Sequence, residues 1–167
     1  MRILIKNGYI VNENKILESD ILVNGELIEK IDKEISSTCV DKVIDCNGSL
    51  ILPGIIDDQV HFREPGYPNK ATIYSESRAA VAGGITSYFE MPNTNPSTTT
   101  IESLNHKFKI ASTSSLANYS FMFGGTNQNI GEVKKLPEHE VPGIKLFLGS
   151  STAVSYTHLT LPTRLPV

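Results

Sequence analysis

The fold is decided by the stretch Ile51-Leu52-Pro53-Gly54-Ile55-Ile56, which is the first of four apolar runs along the chain. The other three runs are Ile85–Met91, Tyr119–Phe123 and Ile144–Leu148. Each has the length and composition of a parallel strand that is buried on both faces. Because the runs recur roughly every thirty residues, there is room for one helix between each pair of strands.

Helical patterns fill the intervals between these runs. The first pattern ends at Gly83-Gly84, a typical C-terminal signal. The second opens at Thr99-Thr100-Ile101-Glu102, which has the spacing of a capping box. The residues that share one face in the three patterns are, in chain order, Ile73, Ser77, Ala80 and Val81; Ile101, Leu104 and Phe108; Ile130, Val133 and Leu136. This alternation predicts an α/β fold in which residues 53–153 form about four βα units of an eight-unit (β/α)8 TIM-type barrel.

The first 52 residues have a different pattern, with short β-forming runs separated by Asn-Gly pairs. Asn7-Gly8 and Asn24-Gly25 each lie between two such runs and predict hairpin turns, because type I′ turns need positive φ at both central positions. Asn47-Gly48 follows a further run. We expect residues 1–52 to form a small β-sandwich-like domain, and we assign it a structural role because its ionisable residues do not cluster.

Residues 154–167 follow none of these patterns. They have no amphipathic face, no helix cap and no continuation of the fourth βα unit. The stretch resembles the in-frame translation of a transposase-type sequencing adapter. We therefore expect a non-native tail here and assign no function to His158.

Composition and charge exclude several classes of protein. The formal net charge of −3, from 15 basic and 18 acidic side chains, argues against a nucleic-acid partner, which would require a basic face. No apolar run approaches the ~20 residues of a membrane helix, so we expect no membrane partner. The start, Met1 to Lys6, reaches a charge too soon for a signal peptide. Two widely spaced cysteines do not make a disulfide framework, and we expect a cytoplasmic protein.

The densest polar cluster is Asp57-Asp58-Gln59-Val60-His61-Phe62-Arg63, at the end of the first predicted barrel strand. Side chains alternate along a strand, so Asp57, Gln59, His61 and Arg63 are predicted to share one face. The active sites of barrel enzymes lie at the carboxyl ends of their strands. Each of these residues, taken singly, is typical of a solvated loop. The four together are more specific, because burying four inward-facing polar groups without a ligand would cost free energy.

Two more residues follow later strands. Asn93 lies between two prolines and is either a turn former or a group at the same barrel face as Arg63. Lys145 lies among apolar neighbours, and its stem either extends to solvent or is buried. Burial of a lysine lowers its pKa, and the neutral amine is the form that reacts with carbon dioxide. The carbamate so formed is a carboxylate that can bridge two metal ions.

Several separated motifs resemble the dihydroorotase family of the amidohydrolase superfamily, from Met1 to about Thr152. They are Pro53-Gly54-Ile55-Ile56-Asp57, His61-Phe62-Arg63-Glu64-Pro65-Gly66, Gly83-Gly84-Ile85-Thr86, Met91-Pro92-Asn93-Thr94 and Ile144-Lys145-Leu146-Phe147. The resemblance implies that His61 is a metal ligand, that Lys145 is the carbamylated lysine bridging two zinc ions, and that Arg63 and Asn93 hold the substrate carboxylate. It also implies reversible ring closure of N-carbamoyl-aspartate to dihydroorotate in pyrimidine biosynthesis.

Two departures from the family pattern matter. The family's first barrel strand carries His-x-His, and here Gln59 takes the first position, so its neutral oxygen would be a weaker metal ligand than imidazole. Asp57 on the same predicted face could compensate. The later histidine ligands and the proton-shuttling aspartate belong to strands beyond Lys145. We therefore expect a fragment that is itself inactive and poorly soluble, from a parent that forms a homo-oligomer.

Two alternatives stay open from the sequence. One is a related cyclic amidase such as allantoinase or dihydropyrimidinase; Arg63 discriminates against it, because those substrates lack the carboxylate. The other is a metal-free dihydroorotase-like scaffold subunit. Gln59 favours the scaffold, whereas Arg63, Asn93 and Lys145 count against it.

Overall fold

The computed structural model describes residues 1–137 and 139–148, and the chain forms two compact units that meet in sequence at Pro53 and Gly54. The predicted non-native tail, residues 154–167, lies outside the described residues.

The first unit is built from two β-sheets. Its strands are β1 (Arg2–Lys6), β2 (Tyr9–Asn12), β3 (Lys15–Glu18), β4 (Asp20–Asn24), β5 (Leu27–Asp32), β6 (Lys42–Asp45) and β7 (Leu50–Ile51). One sheet has the order β5-β4-β1-β6 and the other the order β3-β2-β7. Leu4, Leu22 and Ile35 form the buried apolar cluster of this unit.

One of the two predicted hairpins in this unit is confirmed and the other is wrong. Strands β4 and β5 pair antiparallel across Asn24-Gly25, where Gly25 has φ +61°. Strands β1 and β2, however, lie in different sheets. At Asn7-Gly8 the chain crosses between sheets, and a Cβ on Gly8 would come within 2.5 Å of Ile51. A tight turn therefore does not by itself determine which strands pair.

The second unit alternates parallel strands with helices. Its strands are β8 (Ile55–Val60), β9 (Ile85–Glu90), β10 (Asn118–Phe121), β11 (Phe123–Gly124) and β12 (Ile144–Lys145), and its helices are α1 (Ile73–Ala82), α2 (Ile101–Ser114) and α3 (Ile130–Val133). Strands β8, β9 and β10 form one parallel sheet with β9 at its centre, and β11 pairs with β12, also in parallel. The predicted α/β class is confirmed.

Strand bounds differ from the predicted runs at both ends of this unit. The first barrel-type strand begins at Ile55 rather than Ile51, because Leu50–Ile51 pairs with β2 in the first unit and Pro53 has no N–H for a ladder. The fourth strand has only two residues, and Leu146 and Leu148 beyond it are exposed. The third predicted run is split at Met122 into β10 and β11.

Helix α1 buries Ile73, Ser77 and Ala80 of its predicted face, whereas Val81 is 45% exposed, and it ends at Gly83 as expected. Helix α2 is capped one residue later than predicted. Thr100, not Thr99, is its N-cap, and Ser103, not Glu102, completes the capping box. Both helices cover an apolar cluster that includes Ile73, Tyr88, Leu104, Phe121 and Phe123, in which Phe108 and Phe121 meet edge to face.

Two loops at the carboxyl ends of β8 and β9 contact each other directly. The N–H of Asn95, in the 91–100 loop, donates to the carbonyl of Pro65, in the 61–72 loop, at 3.0 Å. Gly66 lies against the same asparagine, and a Cβ on it would fall 2.4 Å from both Asn95 Cβ and the Asn95 carbonyl oxygen. These contacts hold the loop after β8 close to the loop after β9.

We expect Gly66→Ala to lower the free energy of unfolding by about 2 kcal/mol or more, because Gly66 has φ +103° and the added methyl meets backbone as well as side chain. Urea denaturation followed by circular dichroism measures the change. Gly131→Ala is the matched control, since Gly131 is helical with open space around it, and it should stabilise by up to ~1 kcal/mol. Equal effects of the two substitutions would contradict this prediction.

Candidate functional site

The sequence-predicted site residues come from three separate segments of the second unit. Gln59 is on β8 and His61 and Arg63 follow that strand, whereas Asn93 follows β9 and Lys145 ends β12. Val60 on β8 is in register with Glu90 on β9, so both strands end at the same edge of the parallel sheet. The topology thereby places the residues that follow these two strands at one edge.

His61 and Asn93 are hydrogen-bonded, with 2.8 Å between His61 Nδ1 and Asn93 Oδ1. Because an amide oxygen accepts only, Nδ1 carries the proton and Nε2 carries the lone pair in the neutral ring. Partial burial lowers the pKa of His61, the positive charges of Arg63, Lys145 and Lys107 lower it further, and the bond to Asn93 opposes the shift. The neutral, ligating form of the ring is therefore favoured.

Lys145 and Gln59 form a second contact, in which Lys145 Nζ donates to Gln59 Oε1 at 3.3 Å. The same ammonium lies 5.7 Å from the centre of the Phe147 ring. Lys145 is half-buried, and β12 pairs with β11 within the described residues. Its positive charge reaches His61, whose pKa it lowers.

The predicted alternation of side chains between the two faces of β8 does not extend to Arg63. The pairing of β8 with β9 shifts register between Asp57 and Val60, and the strand ends at Val60. Arg63 has φ +66°, a left-handed conformation that costs a non-glycine residue about 1–2 kcal/mol. Asp57 Oδ1 accepts the N–H of Gln59 at 3.1 Å, a contact within the same strand.

A fully buried ion pair at the same strand end was not predicted. Glu90, the last residue of β9, contacts Lys107 of α2 with 2.5 Å between Oε2 and Nζ, and both side chains are 0% exposed. Lys107 also donates to the Met91 carbonyl at 3.2 Å and lies 4.8 Å from the centre of the Phe121 ring. The signal for it was present in the sequence, because Lys107 lies on the helix face of Leu104 and Ala111.

Electrostatics in this pair are governed by desolvation. Burial raises the pKa of the Glu90 carboxyl, while Lys107 and the backbone N–H groups of Arg63 and Phe62 lower it. Burial likewise lowers the pKa of Lys107, and Glu90 opposes that shift. Glu90 therefore faces the Lys107 ammonium and two backbone N–H groups at the end of β8. The buried carboxylate is stabilised by all three groups.

The metal-ligating groups of Gln59, His61 and Lys145 fit part of a metal site. His61 offers Nε2 and Gln59 offers an amide oxygen, and Lys145 would supply oxygens as a carbamate. Across residues 1–137 and 139–148, His, Cys, Asp and Glu side chains do not form a group of three or more that could hold a metal. Protein zinc sites take three or four ligands. The segment described therefore provides some, and not all, of the ligands that such a site requires.

No helix in the part of the chain that the structure describes is both long and apolar enough to span a bilayer.

Comparison with known proteins finds relatives named dihydroorotase and relatives named allantoinase. The chain is 38% identical over 149 residues to the dihydroorotase of Methanosarcina acetivorans, covering 89% of this chain and 32% of that protein. It is 36% identical over 146 residues to an allantoinase of Desulfitobacterium hafniense, covering 87% of this chain and 32% of the relative. The chain thus spans about a third of the length of these relatives.

A solved structure and a family model also match this chain. The L-hydantoinase (dihydropyrimidinase) of Arthrobacter aurescens superposes with a TM-score of 0.87 at 29% sequence identity, over 92% of this chain and 34% of that one. A family model described as dihydro-orotase-like matches residues 48–135, which is just over half of the chain and includes Gln59, His61, Arg63 and Asn93. The chain therefore belongs to the dihydro-orotase-like family.

Proposed function

We propose that the chain is the N-terminal part of a metal-dependent dihydroorotase, which interconverts N-carbamoyl-aspartate and dihydroorotate in pyrimidine biosynthesis. In this proposal the second unit is the first half of a (β/α)8 barrel with about four βα units. The observation that carries it is the contact between His61 and Asn93, because it brings a ligating imidazole beside an amide at the carboxyl ends of two adjacent parallel strands. The free cysteines Cys39 and Cys46 suit a reducing cytoplasm.

The substrate carboxylate is bound by Arg63 and Asn93. An arginine fork donates two parallel hydrogen bonds to a carboxylate, which a point charge does not. The Asn93 amide oxygen accepts from His61, so its Nδ2 group presents the N–H donors that a carboxylate needs. Both side chains are partly or fully buried, which strengthens charged hydrogen bonds relative to those in water.

The metal site of the proposed enzyme uses His61 and carbamylated Lys145, with Gln59 as a weak oxygen ligand, and its remaining ligands come from strands beyond this chain. Zinc held by these residues would supply activation of a water and polarisation of the amide carbonyl. His61 is held in the ligating tautomer by Asn93. Lys145 has to lose its proton before it reacts with carbon dioxide, and its contact with Gln59 keeps the amine near the other ligand.

A cyclic amidase of the allantoinase or dihydropyrimidinase type is the second candidate, favoured by the allantoinase relative and by the hydantoinase structure. Turnover of dihydroorotate and of hydantoin by the full-length protein discriminates between the two candidates. We expect dihydroorotate to be preferred, because hydantoin has no carboxylate for Arg63. Preference for hydantoin would favour the second candidate.

Metal analysis of the full-length protein gives a further prediction. We expect two zinc ions per chain, and Lys145→Ala to lose at least one of them together with activity, because it removes the bridging group. Lys134→Ala, a change of an exposed lysine, is the matched control and should keep both. Absence of bound zinc together with absence of turnover in the unmodified protein would contradict the enzyme and favour a metal-free scaffold subunit, which Gln59 suits.

A further inference from the structure

We propose that Glu64 is a positioning residue for Arg63, and that it acts by anchoring the 61–72 loop to the first turn of helix α1. The role in substrate binding rests on the proposed function, whereas the restraint on the loop does not.

Arg63 needs such an anchor because its backbone is in an unfavourable conformation. Its φ of +66° is left-handed, and neither glycine's freedom nor a short polar side chain offsets the cost. The Arg63 carbonyl accepts the N–H of Tyr67 at 3.0 Å, which closes a turn around this position. The Arg63 N–H in turn faces the Glu90 carboxylate. Each hydrogen bond of this kind stabilises an irregular loop only modestly, so side-chain contacts contribute to holding the turn.

Glu64 makes one of these side-chain contacts. Its Oε2 accepts the backbone N–H of Ile73 at 2.7 Å, and Ile73 is the first residue of α1 and is fully buried. The N-cap side chain, Thr72, already accepts from Ser75, so the N–H of Ile73 takes its acceptor from outside the helix. A carboxylate at a helix N-terminus also gains from the helix dipole. The residue next to Arg63 is thus tied to the core.

The other side of the turn is fixed independently. The Pro65 carbonyl accepts the N–H of Asn95, and Gly66 lies against the same residue. Glu64 therefore lies between Arg63 and a second point of attachment. Loss of the Glu64 contact would leave the turn held by the backbone N–H of Arg63, which faces the Glu90 carboxylate, and by Pro65 on the other side. We expect the left-handed turn then to relax and the guanidinium to leave its place.

The chain offers a matched control for helix capping as such. Glu132 Oε2 accepts the N–H of Ile101 at 2.9 Å, the same contact at the first residue of α2. Glu132 lies on α3, away from the 61–72 loop in sequence, and it also pairs with Lys135. Glu64→Ala and Glu132→Ala each remove a carboxylate from a helix N-terminus, and only the first removes the neighbour of Arg63.

The experiment compares these two variants and Glu64→Gln in the full-length protein. We expect Glu64→Ala to raise the KM for dihydroorotate about tenfold or more with a smaller change in kcat, and Glu132→Ala to leave KM unchanged. Glu64→Gln should restore most of the loss, because its amide oxygen still accepts from Ile73. Equal KM values for the two alanine variants would overturn the positioning role.

Amide hydrogen exchange tests the restraint without any need for activity. Exchange at Tyr67, whose N–H reports on the Arg63 turn, should become about tenfold faster or more in Glu64→Ala and stay unchanged in Glu132→Ala. Unchanged exchange at Tyr67 in Glu64→Ala would overturn the inference. Faster exchange in a protein that does not turn over dihydroorotate would support the anchor and refute the proposed function, so the two failures are distinguishable.

Discussion

Lys107→Met is expected to lower the free energy of unfolding by about 3–5 kcal/mol, because it leaves the fully buried Glu90 carboxylate without its partner. The backbone N–H groups of Phe62 and Arg63 also face this carboxylate, but they do not supply the full positive charge of Lys107. Methionine is unbranched and only one atom shorter than lysine, so it retains most of the apolar packing near Phe121. Urea denaturation of the full-length protein, followed by circular dichroism, measures the loss.

Two further variants separate charge from packing. The double variant Glu90→Gln/Lys107→Met contains no unpaired charge, and we expect it to be more stable than Lys107→Met alone. Lys109→Met changes an exposed lysine on the same helix and should stay within about 0.5 kcal/mol of the unmodified protein. A loss below ~1 kcal/mol for Lys107→Met would show that the ion pair does not govern the stability of this strand end.

Arg63→Ala is expected to lower kcat/KM for dihydroorotate at least about 30-fold in the full-length protein, since truncating one partner of a partly buried charge pair costs ~2–5 kcal/mol. Most of the loss should appear in KM, because the carboxylate of the substrate is present in both ground state and transition state. Steady-state kinetics with dihydroorotate measure both constants.

Arg63→Lys separates the effect of the two-pronged hydrogen-bond geometry from the effect of the positive charge. It keeps the positive charge and loses the two-pronged donor, so we expect its KM to lie between those of Arg63→Ala and the unmodified protein. Arg78→Ala, on the exposed side of α1, is the control and should leave KM unchanged. An unchanged KM in Arg63→Ala would contradict the assignment of Arg63 to the substrate carboxylate.

Local patterns in the sequence predicted helices α1 and α2 well, whereas α3 covers only Ile130–Val133 and the strand bounds differ from the predicted runs. Helix α1 and its end at Gly83 follow from a short-range apolar face and a terminal glycine. The start of β8 depends instead on which strand Leu50–Ile51 pairs with, and that partner, β2, is about forty residues away in sequence. The same reason explains the wrong pairing predicted across Asn7-Gly8.

The features of the site that follow from the parallel order of the strands were predictable from the sequence. Residues that follow β8 and β9 were expected at one edge of the sheet, and the contacts of His61 with Asn93 and of Lys145 with Gln59 show these residues close together in pairs. The backbone of Arg63 was not predictable, because its left-handed conformation comes from contacts of the whole loop. The Glu90–Lys107 pair was missed because a lysine on an apolar helix face requires a partner that sequence spacing does not identify.

The outer edge of β8 has consequences for synthesis on the ribosome. β8 has one strand neighbour among the described residues, and its Ile55 and Ile56 are 54% and 60% exposed. In the proposed full-length enzyme, about two thirds of the polypeptide would still have to be translated, which at ~5–20 residues per second takes on the order of tens of seconds. Throughout that interval a nascent chain would display an unpaired, apolar edge, a substrate for chaperones such as holdases and a seed for aggregation.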